Sequence, residues 1–205
     1  MSGQGKVFVA SMNLRGSWAP CEENCKKLNV TSAQGKNNKN RLDFSPMTFV
    51  EGGYEDFGNF EAWWQSLKRF EGVKKEKVID FWKNVSEKTG AKRRYPGSKG
   101  KKVICAELDG KKMDYVTSRK EAYVPCYFEM MKDKEMALYW KKEVENGKNV
   151  VVYDFDGPRN EDGCVTCLEV SLEMLQEKIN YTRHPFGHGY IVAAWLKGIE
   201  PASYL

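Results

Sequence analysis

Residues 59–70, Asn-Phe-Glu-Ala-Trp-Trp-Gln-Ser-Leu-Lys-Arg-Phe, place Phe60, Trp63, Trp64 and Leu67 on one stripe of a helix. A stripe that broad has to be buried, so the chain must build an interior around it. The neighbouring stripe is polar in a particular way. Glu61, Gln65 and Lys68 fall at i, i+4 and i+7, which projects an acid, an amide and an amine from one side of the helix at the margin of the aromatic surface. Such a margin suits a pocket for a flat, polar ligand, and the same spacing also describes an ordinary solvated helix face.

The rest of the chain supplies partners for that stripe. Lys6–Ala10 is a short β-type run, and the Gly-, Asn-, Ser- and Pro-rich stretch after it reads as an irregular N-terminal extension over residues 1–42. Helices are expected over about 59–71, from Lys74 to about Thr89 with a stop at Gly90, over 126–146, over about 167–180 and over about 187–198. Strands are expected at Lys101–Leu108, closed by Asp109-Gly110, and at Val150–Tyr153. The expected class is therefore mostly α (α+β), with a few short strands and one domain over 43–205. The basic stretch 92–102 is the one plausible internal linker, but the apolar runs on either side of it need each other for burial.

With 205 residues, 30% charged and 41% hydrophobic, the chain has the balance of a folded globular protein. Neither a bilayer-length apolar run nor a secretory leader is visible, so an intracellular, cytoplasmic protein without membrane partners is expected. The net charge of +5 is concentrated in two segments, Gly35–Arg41 and Lys92–Lys102. Both read as loops able to sit on phosphates, of a nucleotide or of a nucleic acid, with Arg93 and Arg94 the leading candidates; solvated loops would look the same. Cys21, Cys25, Cys164 and Cys167 could supply four thiolates to zinc, but the first spacing is not the usual one, and no metal is expected.

Two further segments carry chemistry. Asp154 and Asp156 follow a buried strand and precede Gly157-Pro158, where carboxylates are held rigidly for acid–base work or simply end the strand in a turn. In Arg183–Tyr190, His184 and His188 have a helical metal-ligand spacing, but Pro185 and Gly187 lie between them and argue against a regular helix. Gly187 and Gly189 precede an apolar helical run and suit a close backbone approach at a helix N-terminus, which favours an anion.

Taken in order, these pieces resemble the NADAR superfamily of YbiA-like N-glycosidases. Glu61-Ala-Trp-Trp-Gln65-Ser-Leu-Lys68 is similar to that family's Glu-His-x-Phe-Gln-Ala-x-Lys helix, Tyr153-Asp-Phe-Asp156-Gly157 to its Trp-Gly-Asp-Gly element, and Gly187-His-Gly-Tyr-Ile-Val to its final helix start. Ala62 stands where the family has His, Tyr153 or Phe155 replaces its Trp, and the Asn of the last element is absent. The resemblance spans about 43–70 and 150–196, and it implies a YbiA-like fold and hydrolysis of an N-glycosidic bond without a cofactor. The implied substrates are nucleotides, ribosylaminopyrimidines and ADP-ribosylated bases.

Cleaving such a bond requires a carboxylate to stabilise an electron-poor ribosyl carbon, a proton for the departing nitrogen, and a nucleophile on the opposite face. On the resemblance, Glu61 and Asp156 share the carboxylate roles, and Lys68 holds a phosphate or attacks the sugar. Gln65, Asp154, Gly187 and Gly189 bind substrate, while Trp64 and Tyr153 stack on the base; Arg93 and Arg94 join the substrate-binding set from the charge of their loop and not from the resemblance. The rival reading is a non-catalytic nucleotide- or nucleic-acid-binding module on the same fold. A zinc-clipped structural protein is a third.

Overall fold

The structure, a computed structural model, describes residues 3–14, 24–90 and 92–205. The chain is α+β and divides into two compact units, residues 1–45 with 124–205, and residues 46–123.

The first unit is organised by four consecutive apolar residues, Val150–Tyr153, in a strand with no polar face. Such a strand needs neighbours on both edges and cover on both faces. The strands of this unit are β1 (Val7–Ser11), β2 (Lys26–Asn29), β6 (Val150–Asp154) and β7 (Cys167–Glu169), in the order β2-β6-β1-β7. β6 runs parallel to β1, with Val7 opposite Val150 and Ser11 opposite Asp154, and parallel to β2. β7 is antiparallel to β1. The segment expected to be an irregular extension thus supplies two strands. β1 is buried along its whole length, because β6 requires a fully apolar neighbour.

Helices α1 (Lys39–Phe44), α5 (Val124–Met131), α6 (Glu135–Glu145), α7 (Leu172–Asn180), α8 (His188–Lys197) and α9 (Pro201–Tyr204) complete this unit. α8 packs on β6 and β1 and is buried from His188 to Ala194, as an all-apolar helix must be. The helix expected over 126–146 is broken between Met131 and Glu135. The Asp43 carboxylate accepts from the Met136 backbone N–H at 2.9 Å, satisfying a donor that α6 leaves open at its start. The helix expected from 167 begins only at Leu172. Cys167–Glu169 pair with β1 instead, and the Ser171 hydroxyl caps α7 at the Met174 N–H, 3.2 Å away.

The second unit holds α2 (Phe60–Ser66), β3 (Lys68–Phe70), α3 (Lys75–Lys83), β4 (Val103–Leu108), β5 (Lys111–Met113) and α4 (Tyr115–Ser118), the last running into a π-helical turn at Arg119–Tyr123. The strands form one antiparallel sheet, β3-β4-β5. The aromatic stripe of α2 is buried as expected: Phe60 and Trp63 meet Tyr54 at 4.9 and 5.2 Å, and Trp64 meets Tyr123 at 5.0 Å. Residues 92–102 lie inside this unit and are not a linker.

Candidate functional site

The helix that carries the Glu-Gln-Lys motif is shorter than its periodicity suggests. Asn59 caps it by accepting from the Ala62 N–H at 2.8 Å, and it ends at Ser66. Lys68 pairs with Ala106 across the sheet, and the Leu67 carbonyl accepts from the Glu107 N–H at 2.9 Å. Strand partners from β4 therefore override the helical preference of residues 67–70. The motif is divided in consequence. Glu61, half-buried, accepts from the Gln65 amide at 2.7 Å on α2, while Lys68 stands on β3 with its ammonium 5.9 Å from the centre of the Trp64 ring.

Trp64 and Lys68 line a cavity of about 260 Å³ with Val103–Ala106, Asp114 and Tyr115 among its walls. Between Arg69 and Phe70 the β3–β4 register slips, so that Cys105 is followed by Val103 as the next partner and Ile104 is the extra residue. A bulge re-aims side chains that strict alternation would send to opposite faces. Val103 and Ile104, consecutive on the strand, are accordingly 53% and 65% exposed. Asp114 caps α4, and the Thr117 backbone N–H, followed by its hydroxyl, holds this carboxyl below the usual range. Tyr115 is half-exposed, with the Arg119 guanidinium carbon 4.0 Å from its ring centre. The cavity thus combines two aromatic rings, an exposed aliphatic pair, one ammonium and one carboxylate.

The candidates on the first unit have a different character. β6 ends at Asp154, and the chain turns at once, with the Gly157 N–H donating to the Asp154 carbonyl at 3.2 Å. Asp154 is buried. Its Oδ2 accepts from the Gly189 N–H at 2.9 Å and lies 3.3 Å from His188 Nδ1. The Val30 carbonyl can only accept, so His188 Nε2, 3.0 Å from it, carries a proton. Tyr127, in ring contact with His188, is fully buried and donates to the Phe44 carbonyl at 2.5 Å. Burial, and then the Asp154 charge, push its phenol well above the ordinary range.

The anion expected at the start of α8 is therefore supplied by the protein itself. Asp154 fills the position assigned to a substrate group, and Gly187 and Gly189 are glycines so that it can do so. A Cβ on Gly189 would fall 2.6 Å from Asp154 Cβ, and one on Gly187 would strike Asp154 Oδ2. All three are buried. Tyr153 cannot stack on a base, because it is fully buried among Phe8, Ala10, Leu14 and Val151. Asp156, by contrast, is exposed. The ends of β1, β6 and β2 gather Ser11, Asp154 and Asn29, the edge at which parallel sheets usually present ligand groups. Asn29 is turned inward too, its Oδ1 accepting from Thr31 N and Oγ1 at 2.9 and 2.8 Å.

In the basic loop Arg93 and Arg94 are both exposed, and Arg94 spends its guanidinium on the loop itself. It donates to Ser98 Oγ at 3.1 Å and to the Ser98 carbonyl at 3.2 Å. Cys21 lies outside the described residues, and among the described residues no group of three or more His, Cys, Asp or Glu is placed to hold a metal ion. No helix of the described residues is long and apolar enough to cross a membrane. Sequence reasoning missed Val103, Ile104, Asp114 and Tyr115. Their one legible sign was an apolar Val-Ile pair directly after Lys101-Lys102. No protein-family model matches the chain, and no curated protein or solved structure matches it.

Proposed function

We propose that the protein is an N-glycosidase of the YbiA-like kind, hydrolysing the bond between a ribose and a nitrogen base in a nucleotide, a ribosylaminopyrimidine or an ADP-ribosylated base. The observation that carries this reading is the pairing of Glu61 with Gln65 at 2.7 Å on the helix that also carries Trp64, which with Lys68 of β3 lines a cavity. The Gln65 amide orients the Glu61 carboxylate, which in this reading acts on the substrate. That carboxylate either delivers a proton to the departing nitrogen or faces the cationic sugar carbon. Lys68 supplies charge for a phosphate. In the overall step water adds to the anomeric carbon, and the base leaves with a proton.

A second reading, a binding module without turnover, is favoured by one observation. Trp64 and Lys68 line the cavity, but Glu61 is not among its lining residues. Incubation with nucleotides, ribosylaminopyrimidines and ADP-ribosylated DNA, followed by mass spectrometry for free base, separates the two. Glu61→Gln keeps the shape of the side chain and should lower base release by ~100-fold or more. Asp156→Asn, on the other unit, tests the rival carboxylate. A Gln variant with full activity would remove Glu61 from the mechanism. Ligand binding without release by the wild-type protein would leave the binding module standing.

A further inference from the structure

The two units differ sharply in charge. Residues 46–123 carry 17 Lys and Arg against 12 Asp and Glu, which accounts for the chain's whole +5; the remaining residues balance 16 against 16. Within the charged unit the excess gathers in one loop. Lys92, Arg93, Arg94, Lys99, Lys101 and Lys102 stand in an eleven-residue stretch with no acid.

That loop is built rather than loose. Pro96–Ser98 form a 3-10 turn, and the Ser98 hydroxyl, fully buried, donates to the Tyr95 carbonyl at 2.6 Å. Tyr95 packs on Phe81 at 5.3 Å and on Phe70 at 6.3 Å. Arg94, itself exposed, ties the turn together through Ser98, so one cation of the six fixes the display of its neighbours. A preorganised cationic loop loses little conformational entropy on meeting a polyanion.

The loop also runs straight into the cavity. Lys102 is followed by Val103 and Ile104, both of which line it, so the cationic track and the cavity mouth lie within one or two residues of chain. At that mouth, Tyr115 is 46% exposed and is backed on one side by Arg119, itself buried. The ring is thus held by Arg119 and contributes to the cavity lining. A line of cations leading to a fixed aromatic face beside an apolar hollow is the arrangement that binds single strands, with phosphates on the track and a base on the ring. A duplex keeps its bases stacked inside and offers nothing for Tyr115 to hold.

We infer that residues 46–123 bind a single-stranded nucleic acid, its phosphates along Lys92–Lys102 and one unstacked base against Tyr115 in the Trp64–Lys68 cavity. This rests on the reading of that cavity as the ligand site, and makes a polynucleotide rather than a free nucleotide the partner.

The test uses the full chain and fluorescein-labelled dodecamers of single-stranded DNA and RNA, read by fluorescence anisotropy over a range of salt. The matching duplex, heparin and phosphatidylserine vesicles serve as competitors. Binding to either single strand in preference to the duplex is expected. Replacing Lys92, Lys99 and Lys102 together by Gln should weaken it and reduce the slope of log affinity against log salt by about 2. Tyr115→Leu should weaken it by about tenfold with the slope unchanged, whereas Tyr115→Phe should bind as the wild type does. Preference for duplex, heparin or vesicles, an unchanged slope in the triple variant, or equal binding by Tyr115→Leu would overturn the inference. The outcome is separable from that of hydrolysis. Strand binding without base release would remove only the glycosidase, and base release from mononucleotides without strand binding would remove only this partner.

Discussion

Gly189→Ala is the most exacting perturbation of the first unit, because two physical effects of opposite sign compete at one methyl group. Within a helix, replacing Gly by Ala ordinarily stabilises by up to about 1 kcal/mol. Here the new Cβ would lie 2.6 Å from Asp154 Cβ and 3.1 Å from its Oδ2, closer than side-chain atoms approach without displacement. The flexible end of a side chain could yield, but Asp154 ends a core strand and is buried. Either α8 moves off β6 or the carboxylate turns away from the Gly189 N–H that it accepts from at 2.9 Å. Overpacking of this kind costs about 1–3 kcal/mol, and a hydrogen bond to a charged acceptor contributes about 1.5–3 kcal/mol. Even partial loss of both outweighs the helical gain. A net destabilisation of roughly 2–4 kcal/mol is expected.

The assay is urea unfolding followed by far-ultraviolet circular dichroism, with the midpoint shift interpreted at constant slope. Gly35→Ala is the control: it is exposed, and nothing lies within 4 Å of where its Cβ would be, so it should leave the midpoint nearly unchanged. If Gly189→Ala proves as stable as the wild type or more so, the close approach of Asp154 is not what fixes glycine there. The account of α8 as seated on that carboxylate would then fail.

Three further outcomes follow from particular contacts. Arg94→Gln should lower stability by about 1 kcal/mol in the same urea assay, because its guanidinium holds the Ser98 turn, whereas exposed Lys99→Gln should stay within about 0.5 kcal/mol. Tyr127→Phe should cost about 1–2 kcal/mol, since it leaves the Phe44 carbonyl without its buried donor. Glu107 lies between Lys75, 2.5 Å away, and Arg69, 3.3 Å away, and first Lys75 and then Arg69 hold its carboxyl below the ordinary value of 4.5. Its contribution to stability is complete above that value and disappears as the pH falls through the lower folded one. Melting curves between neutral pH and pH 3 should therefore show a steeper acid loss in the wild type than in Glu107→Gln; equal slopes would remove Glu107 from the acid response.

The aromatic stripe on α2 was legible because Phe60, Trp63 and Trp64 repeat with the period of a helix, and all three are buried. The strand at Val150 was legible because four consecutive apolar residues admit few alternatives. The role of β1 was half legible: its β pattern shows in the sequence, but its place at the centre of the sheet depends on pairing with residues some 140 positions away. The fate of Lys68 was not legible. Its spacing from Glu61 and Gln65 is helical, and only the presence of Ala106 across the sheet draws it into a strand. The cavity was hidden for the same reason, since the slip that exposes both Val103 and Ile104 arises from how β3 meets β4 and leaves no local signature.

The start of α8 shows how a correct local inference can point to the wrong partner. Two glycines before an apolar helix do announce backbone donors open to an anion, and the physics of that terminus is satisfied in the fold. What sequence spacing cannot specify is who brings the charge. Asp154, thirty-five residues earlier, supplies it from the end of β6, and a terminus already holding a carboxylate repels a phosphate rather than attracting one. The proposed substrate phosphate is accordingly assigned to the unit that holds the cations. Residues 46–123 hold the entire excess of positive charge, the ammonium of Lys68 stands at the wall of a cavity, and six basic residues lead to that cavity through Val103. In the proposed reading, the net positive charge of this unit is what attracts a phosphate-bearing ligand before any contact with a particular residue.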